Sequence, residues 1–165
     1  MKNILIPTDF TAQSLQLVVN TAETLNSEEL NIILFHAFDP PSDILDLMFL
    51  KRNPLYEGLM NEGFRRECRR LKTKYGTIIG SITFKHFYGN TKPAFKNFIR
   101  ANTIDLVVWP KEYFMYTGYR YSINPERLVK ACGVELLSEF DTDNDVLVNS
   151  SFIYVKKEME SLANA

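Results

Sequence analysis

The loop after the fourth predicted strand is where this chain would contact a phosphate-bearing ligand. The stretch DLVVWPKEYFMYTGYRYSINPERL, residues 105–128, begins as a buried strand and ends as a helix start, an order typical of nucleotide-binding α/β domains. A loop that holds phosphates needs glycines, because only a backbone without Cβ atoms lets several amides approach the oxygens. This loop instead begins with Pro110, which has no amide proton, and continues with aromatic side chains. The residue types therefore argue against a phosphate site made of backbone amides.

Four charged side chains near the predicted strand ends could contact a ligand. Asp9 follows the first strand and could bind a ribose or a base. It could equally close the turn by accepting hydrogen bonds from its own backbone, which is the common role of a turn aspartate and the favoured interpretation here. Lys111, Arg120 and Arg127 flank the aromatic loop and could bind an anion.

The sequence contains no recognisable catalytic motif. His36 and His86 lie in predicted strands, and the spacing places no nucleophile or carboxylate beside either of them. Both are therefore predicted to be hydrogen-bonded core histidines. Because no Ser/His/Asp arrangement, HExxH or paired-carboxylate motif is present, we expect no catalytic residues and no enzymatic activity.

No metal site or structural disulfide is expected. The run DTDND, residues 141–145, resembles the start of a calcium loop, but Val146 and Phe152 stand where that loop needs glycine and glutamate. Cys68 and Cys132 are far apart and form no CxxC motif. Two isolated cysteines suit the reducing cytoplasm, which is the expected location.

Length and charge set the class of protein. The chain has 165 residues, 45% of them hydrophobic and 24% charged, which suits one globular domain. We expect residues 1–140 to form an α/β domain and 141–165 to extend the same domain. The net charge of −1 favours neither nucleic acid nor an anionic membrane as a partner. No apolar run approaches the ~20 residues of a membrane span, and no signal peptide is evident at the start.

Hydrophobic periodicity predicts alternating strands and helices. Such alternation produces a parallel sheet with right-handed crossovers. Thr11 is the expected cap of the first helix. The predicted strands span residues 3–7, 31–38, 81–89, 104–109 and 134–140. The predicted helices begin near residues 11, 43, 55, 93 and 125. The third of these helices is predicted to end at residue 75 and the last at about residue 133. In the tail, 146–148 could form a strand and 152–163 a helix.

The order of these parts resembles the universal stress protein family. The segments that carry the resemblance are KNILIPTDFTAQS, NIILFHAF, IDLVVW and GVELL, in that order. The resemblance implies a single doubly wound domain with a five-stranded parallel sheet of order 3-2-1-4-5 and helices on both faces. It also implies a crevice between the carboxyl ends of the first and fourth strands, and dimerisation of many members through the last strand. One branch of the family binds ATP and another does not.

The chain departs from the ATP-binding pattern of that family. The pattern G-x2-G-x9-G-[ST] would place glycines where Pro110 and Tyr113 stand, and Ile123 and Asn124 replace the final pair, or Tyr121 and Ser122 in a shortened loop. We therefore expect no ATP binding of the standard kind and no cofactor. The expected vestigial or altered ligand crevice consists of Asp9, Ala37, Pro110, Lys111, Tyr113, Tyr116, Tyr119 and Ser122.

The aromatic loop itself is predicted to fill the crevice. Burying a Phe-sized side chain gains ~1.5–3 kcal/mol before ordering costs, so a solvated loop with so many rings is disfavoured. An exposed patch that binds a partner is the alternative. The residues concerned are Tyr113, Phe114, Met115, Tyr116, Tyr119 and Tyr121.

Three functions remain open from sequence. The favoured one is a non-enzymatic homodimer that acts through an unknown protein partner in a stress or regulatory response, pairing through Val134, Leu136, Leu137 and Phe140. The second is a sensor that binds a nucleotide or another small anion in an altered crevice. The third is a nucleotide hydrolase, for which the sequence contains no residues that would position phosphates or activate a water.

The basic run RRECRRLKTK, residues 65–74, is interpreted as a solvated helix face rather than a site for RNA or an acidic partner.

Overall fold

The sheet has the predicted topology. The computed structural model describes residues 1–52, 55–111 and 113–140, without the side chains of 50–52, 55 and 56. Five parallel strands form one sheet in the order β3-β2-β1-β4-β5. The strands are β1 (Lys2–Pro7), β2 (Leu30–Phe38), β3 (Ile79–Tyr88), β4 (Leu106–Val108) and β5 (Glu135–Leu137). The strand and helix predicted within 146–163, and the proposed domain extension, lie outside the described residues.

Burial explains the sequence pattern of the strands. The central strand β1 and its neighbours are covered on both faces, so Ile4, Leu5 and Ile6 are all fully buried. β3 lies at a sheet edge, and of its ten residues only Ile79 and Phe87 are buried. Consecutive residues of a strand point to opposite faces. Leu34 lies on the side of the helix Glu62–Lys74, while Phe35 packs on Phe95 of the helix Lys92–Ala101. Helices therefore cover both faces of the sheet.

The helices differ from the prediction mainly at their ends. The predicted helix over 55–75 is divided, because the Asn61 side chain accepts a hydrogen bond from the Phe64 amide at 2.9 Å and starts a new helix there. The predicted helix from 125 ends earlier, at Val129. The helices are α1 (Gln16–Thr24), α2 (Ile44–Arg52), α3 (Leu55–Leu59), α4 (Glu62–Lys74), α5 (Lys92–Ala101) and α6 (Glu126–Val129), with a 3-10 turn at Gln13–Leu15 before α1.

One predicted core histidine is not in the core. His86 is exposed on the edge strand β3, where its ring contacts Tyr88 with a centroid distance of 4.7 Å. The prediction failed because it assumed a strand covered on both faces. His36, in β2, is fully buried as predicted.

Two further observations concern the described residues alone. None of their helices has the length and apolar character to cross a membrane. Within the same residues, no three histidine, cysteine, aspartate or glutamate side chains are grouped closely enough to hold a metal ion.

Candidate functional site

The turn after β1 is a closed network of side-chain hydrogen bonds. The hydroxyls of Thr8 and Ser14 lie 2.8 Å apart, and the Phe10 amide donates to Thr8 Oγ1 at 3.1 Å. Thr11 Oγ1 accepts from the Ser14 amide at 3.3 Å, but the prediction that Thr11 caps the first helix is wrong, because Ala12 precedes the 3-10 turn and Leu15 precedes α1. Phe10 has φ of 64°, a left-handed conformation that is uncommon for a bulky residue. The turn thereby directs the Phe10 ring and the Asp9 carboxylate to the carboxyl end of the sheet.

Asp9 contacts the aromatic loop, the segment 110–123. Its Oδ1 accepts from the Thr11 amide at 3.1 Å and from the Thr11 hydroxyl at 2.6 Å, as expected of a turn aspartate. Its Oδ2 accepts from the Tyr116 amide at 3.3 Å, and its carbonyl oxygen accepts from the Tyr119 hydroxyl at 2.8 Å. Asp9 is only 4% exposed. Both carboxylate oxygens are thus engaged by the chain itself.

The aromatic loop continues from Asp9 to the end of β2. Ser122 forms an antiparallel bridge with Phe38, and the Ile123 amide donates to the Ala37 carbonyl at 3.0 Å. The loop leaves β4, passes over the end of β1 and pairs beside β2. Tyr121, in this paired segment, has φ of 61°. The loop therefore crosses the end of the sheet at the switch point where ligands of doubly wound folds bind.

His36 fastens the loop to the sheet. Its Nδ1 lies 2.6 Å from the Thr8 carbonyl oxygen, so Nδ1 carries the proton and Nε2 accepts from the Ser122 hydroxyl at 2.5 Å. Burial lowers the pKa of His36, and this effect outweighs the opposing influences of the Thr8 carbonyl and the Asp9 charge. The neutral imidazole is the form whose Nε2 can accept a hydrogen bond from the Ser122 hydroxyl.

The loop aromatics pack on one another and on Phe10. The Tyr119 ring lies 5.9 Å from the Phe10 ring and 5.0 Å from the Tyr116 ring, both in edge-to-face geometry. Tyr113 and Met115 are buried, while Tyr116 and Tyr119 are partly buried. A Cβ atom at Gly118 would overlap the Tyr116 ring. The single glycine of the loop thus makes room for a ring.

Burial and negative charge act together on two tyrosines. Desolvation, followed by the nearby Asp9 charge, raises the pKa of Tyr113 well above 10. The same two causes raise the pKa of Tyr119, with a smaller contribution from Tyr116. Both phenols are therefore neutral at physiological pH, and the Tyr119 hydroxyl donates to the Asp9 carbonyl.

The cations expected near the crevice do not converge on Asp9. Lys111 turns toward β5, where its amide donates to the Ser138 carbonyl at 3.2 Å and its ammonium pairs with Glu139. Arg120 lies 3.6 Å from the Asp46 carboxylate and stacks on the Tyr121 ring. Lys111 and Arg120 are thus paired with carboxylates other than Asp9.

The Ser122–His36 contact has the form of a nucleophile beside a base. Acyl transfer would also require free amide donors to stabilise an oxyanion. The Ser122 amide donates to the Tyr119 carbonyl at 3.0 Å, and the next amide, of Ile123, is bonded to Ala37. Both neighbouring donors are therefore occupied, and the contact serves to hold the loop.

The structure brings together most, but not all, of the predicted site residues. Lys111 lies apart, as does the buried Pro110, whose carbonyl accepts from the Tyr113 amide at 3.2 Å. Sequence reasoning missed the roles of Thr8 and Ser14, although the hydroxyl-rich run TDFTAQS was a signal for a bonded turn. The predicted residues that converge on the end of β1 and β2 are Asp9, Ala37, Tyr116, Tyr119 and Ser122.

Comparison with known proteins concerns the fold. No protein-family model matches the chain, and no curated protein matches it. Among solved structures, the hypothetical protein PH0823 is 18% identical with a TM-score of 0.53, over 86% of this chain and 98% of that one. The universal stress protein UspA from Lactobacillus plantarum is 12% identical with a TM-score of 0.47, over 83% and 96% of the two chains.

A universal stress protein family member from Arabidopsis thaliana, solved with AMP bound, is 12% identical with a TM-score of 0.48, over 87% of this chain and 94% of that one. At such identities, similarity shows a shared fold and nothing about a ligand. With the observed strand order, the chain has the universal-stress-like α/β fold that its motifs predicted.

Proposed function

We propose that the chain is a non-enzymatic, universal-stress-like protein that acts through protein contacts in a stress or regulatory response, without binding ATP in its crevice. The observation that supports this function is the engagement of Asp9 by the aromatic loop. The Tyr116 amide and the Tyr119 hydroxyl bond to Asp9 at the switch point, at 3.3 and 2.8 Å. A nucleotide would have to break these contacts before it could reach the aspartate.

The chemistry of the loop supports the same proposal. Pro110 has no amide proton, and the loop has a single glycine, Gly118, so its sequence does not provide the glycine-rich backbone that holds phosphates. The cations Lys111 and Arg120 bond to other carboxylates, Glu139 and Asp46. The alternative function, a sensor of a small anion, would require Lys111 and Arg120 to turn toward the crevice.

We place the protein in the cytoplasm because Cys68 and Cys132 are unpaired thiols, which suits a reducing compartment.

The content of bound nucleotide tests this function. The protein is purified without added nucleotide and denatured, and the released small molecules are separated by chromatography and detected by absorbance. We expect no stoichiometric nucleotide. Titration with magnesium and ATP should leave the melting temperature nearly unchanged, whereas a site filled at a hundredfold excess over Kd would add ~2.7 kcal/mol of stability. Stoichiometric ATP or AMP, or a shift of several degrees, would favour the sensor.

We further propose a homodimer that pairs through β5. This strand ends the sheet within the described residues, and a sheet edge is a template for another strand. Its flanking Val134 and its own Leu136 and Leu137 are only partly buried in the single chain. Light scattering should give twice the 19.1 kDa of one chain. Leu136→Asp should reduce that mass to the monomer, and a monomeric wild type at micromolar concentration would contradict the proposal.

A further inference from the structure

A groove lies on the opposite side of the sheet from β5, between α4 and the edge strand β3. It consists of two adjoining cavities of ≈ 450 and ≈ 270 Å³ that share Cys68, Arg69 and Ile82 in their walls. Phe64 and Ile82 contribute an apolar surface. Arg65, Arg69 and Lys72 of α4 form a basic side. We call this feature the edge groove.

The edge groove is long in one direction. Along β3 it extends from Gly80 to Phe84, and along α4 from Phe64 to Lys72. A strand rises about 3.3 Å per residue, so the β3 side is ~13 Å long, the length of about four residues of extended chain. An extended peptide segment fits this shape better than a compact small molecule.

The strand that forms one wall provides hydrogen-bonding groups. Within the described residues, β3 pairs only with β2, and every second residue of such an edge directs its amide and carbonyl outward. The Lys72 ammonium donates to the Ile79 carbonyl at 2.8 Å and also to the Gly80 carbonyl. A side chain therefore already donates to carbonyls at the start of this strand, while Ser81, Ile82 and Thr83 continue the edge beyond it.

The charge of the edge groove selects its partner. Among the described residues that line the groove, the cations Arg65, Arg69 and Lys72 outnumber the carboxylates, of which there is one, Glu57. The Arg69 pair with Glu62 lies at the surface, where ion pairs contribute only ~0–1 kcal/mol, so Arg69 can exchange partners. A second copy of the chain would bring the same three cations against their own equivalents, which is repulsive. Charge complementarity thus favours an acidic segment of another protein.

We propose that the edge groove binds an extended acidic segment of a partner protein by adding it as a strand to β3. The partner backbone bonds to the outer edge at residues 81–83, its apolar side chains contact Phe64 and Ile82, and its carboxylates lie near Arg65 and Arg69. Backbone bonding supplies affinity in such complexes, and the side-chain pockets supply specificity. This inference rests on the proposed function, protein contacts, and names the chemistry of one partner.

A labelled model peptide tests the inference by fluorescence anisotropy on the full chain. The probe is acetyl-Glu-Val-Glu-Val-Glu-Val-amide, and the comparison probe has lysine in place of each glutamate. We expect the acidic peptide to bind and the basic peptide not to bind. Arg65→Glu with Arg69→Glu should weaken binding at least about tenfold, since charge reversal replaces attraction by repulsion.

Two controls separate strand addition from general charge attraction. Arg66→Glu with Arg70→Glu makes the same charge change on the same helix at residues that do not line the groove, so binding should change less than about twofold. An acidic peptide methylated on alternate amides keeps its charge but loses its donors, and it should not bind. Equal loss in both double variants, or full binding of the methylated peptide, would overturn the proposal.

Two further results would also overturn it. One is absence of binding to the wild-type chain, and the other is a change of oligomeric mass on Arg65→Glu with Arg69→Glu, which would identify a second copy as the occupant. The nucleotide content of the purified protein is measured on the same samples. If the protein is free of nucleotide and does not bind the peptide, only this inference is wrong. If the protein contains bound nucleotide, the proposed function itself is contradicted.

Discussion

The crevice and the edge groove both contain aromatic rings and polar side chains, but they differ in what covers them. At the crevice, Asp9 is 4% exposed and His36 is fully buried, and residues of the same chain bond to both. In the edge groove, the Arg69 side chain is 64% exposed and its partner Glu62 71% exposed. Aromatic rings line both regions, but among the described residues a loop crosses only the crevice. The comparison separates polar groups that stabilise the fold from polar groups that are available to a partner.

This difference follows from the energetics of burial. A buried polar group that loses its partner costs the desolvation free energy of that group, ~1–3 kcal/mol, whereas an exposed one returns to water. The aromatic loop supplies partners to the buried groups at the switch point, so changes there should alter the free energy of unfolding. Changes in the edge groove should alter binding instead. Each of the following predictions tests one side of this contrast.

The largest effect is expected from removing two rings of the aromatic loop. Tyr116→Ala with Tyr119→Ala deletes an edge-to-face pair and the bond to the Asp9 carbonyl, and should lower the free energy of unfolding by about 3 kcal/mol. Urea unfolding monitored by circular dichroism measures the change. Phe49→Ala on α2, where the ring is 55% exposed, is the control and should stay within about 0.5 kcal/mol. An unchanged stability in the double variant would mean that the loop is not packed.

Replacing the buried carboxylate should be the next largest change. Asp9→Ala leaves the amides of Thr11 and Tyr116 without their acceptor and should cost about 2 kcal/mol. Asp105→Ala is a matched control, because Asp105 also accepts from a backbone amide, that of Asn3 at 2.9 Å, but at an exposed position. Asp105→Ala should lower the free energy of unfolding by less than Asp9→Ala does, as measured by the same urea titration. Equal losses in the two variants would remove the distinction between buried and exposed acceptors.

A single methyl group in the loop should reveal the packing of Tyr116. Gly118→Ala places a Cβ where the Tyr116 ring lies, and such overpacking typically costs about 1–3 kcal/mol. In a Tyr116→Ala background the same substitution should cost little, because the ring is absent. A double-mutant cycle measures this coupling. Additive effects would show that the ring does not occupy the space above Gly118.

The stability should depend on pH through His36. Burial lowers the pKa of this imidazole below its ordinary value of 6.5, so at acidic pH the unfolded chain binds more protons than the folded one. The contribution of His36 to the free energy of unfolding is therefore complete above about pH 6.5, and it is lost as the pH drops through the pKa of the folded state. His36→Gln should flatten this dependence when unfolding is measured at about pH 7.5 and about pH 5.5.

His86→Gln is the matched control for the pH dependence, since the chain has two histidines. Burial and then the Lys85 charge lower the pKa of His86 as well, but its side chain is exposed. The pH dependence of His86→Gln should therefore stay close to that of the wild type. A larger flattening in His86→Gln than in His36→Gln would contradict the assignment of the buried histidine.

The smallest effect is expected at the rim of the edge groove. A double-mutant cycle with Arg69→Ala and Glu62→Ala should give a coupling of about 0–1 kcal/mol, because both side chains are well exposed. Urea unfolding at low and high salt measures it. A coupling of several kcal/mol would mean that Arg69 is held for stability and is not free to exchange its partner.

Much of the fold was predictable from short-range pattern. Continuous apolar runs such as NIILFHAF indicate strands covered on both faces, and Thr91 before Pro93 marks a helix start, as its hydroxyl accepts from the Ala94 amide at 3.4 Å. The lack of glycines at the positions of the ATP-binding pattern after Trp109 was equally plain in the sequence, since the loop has a single glycine, Gly118. These features are local, since a residue's own backbone preferences and its immediate neighbours decide them.

Other features depended on residues far apart in the chain, and only the tertiary structure decided them. The sequence placed no nucleophile beside His36, yet Ser122, 86 positions later, bonds to it because the loop returns to β2. His86 was expected in the core, but its exposure depends on which strand ends the sheet. The family resemblance implied the strand order, but the path of the loop is set by the packing of the whole domain. The sequence therefore determined the elements and their order, while the tertiary structure determined which side chains meet.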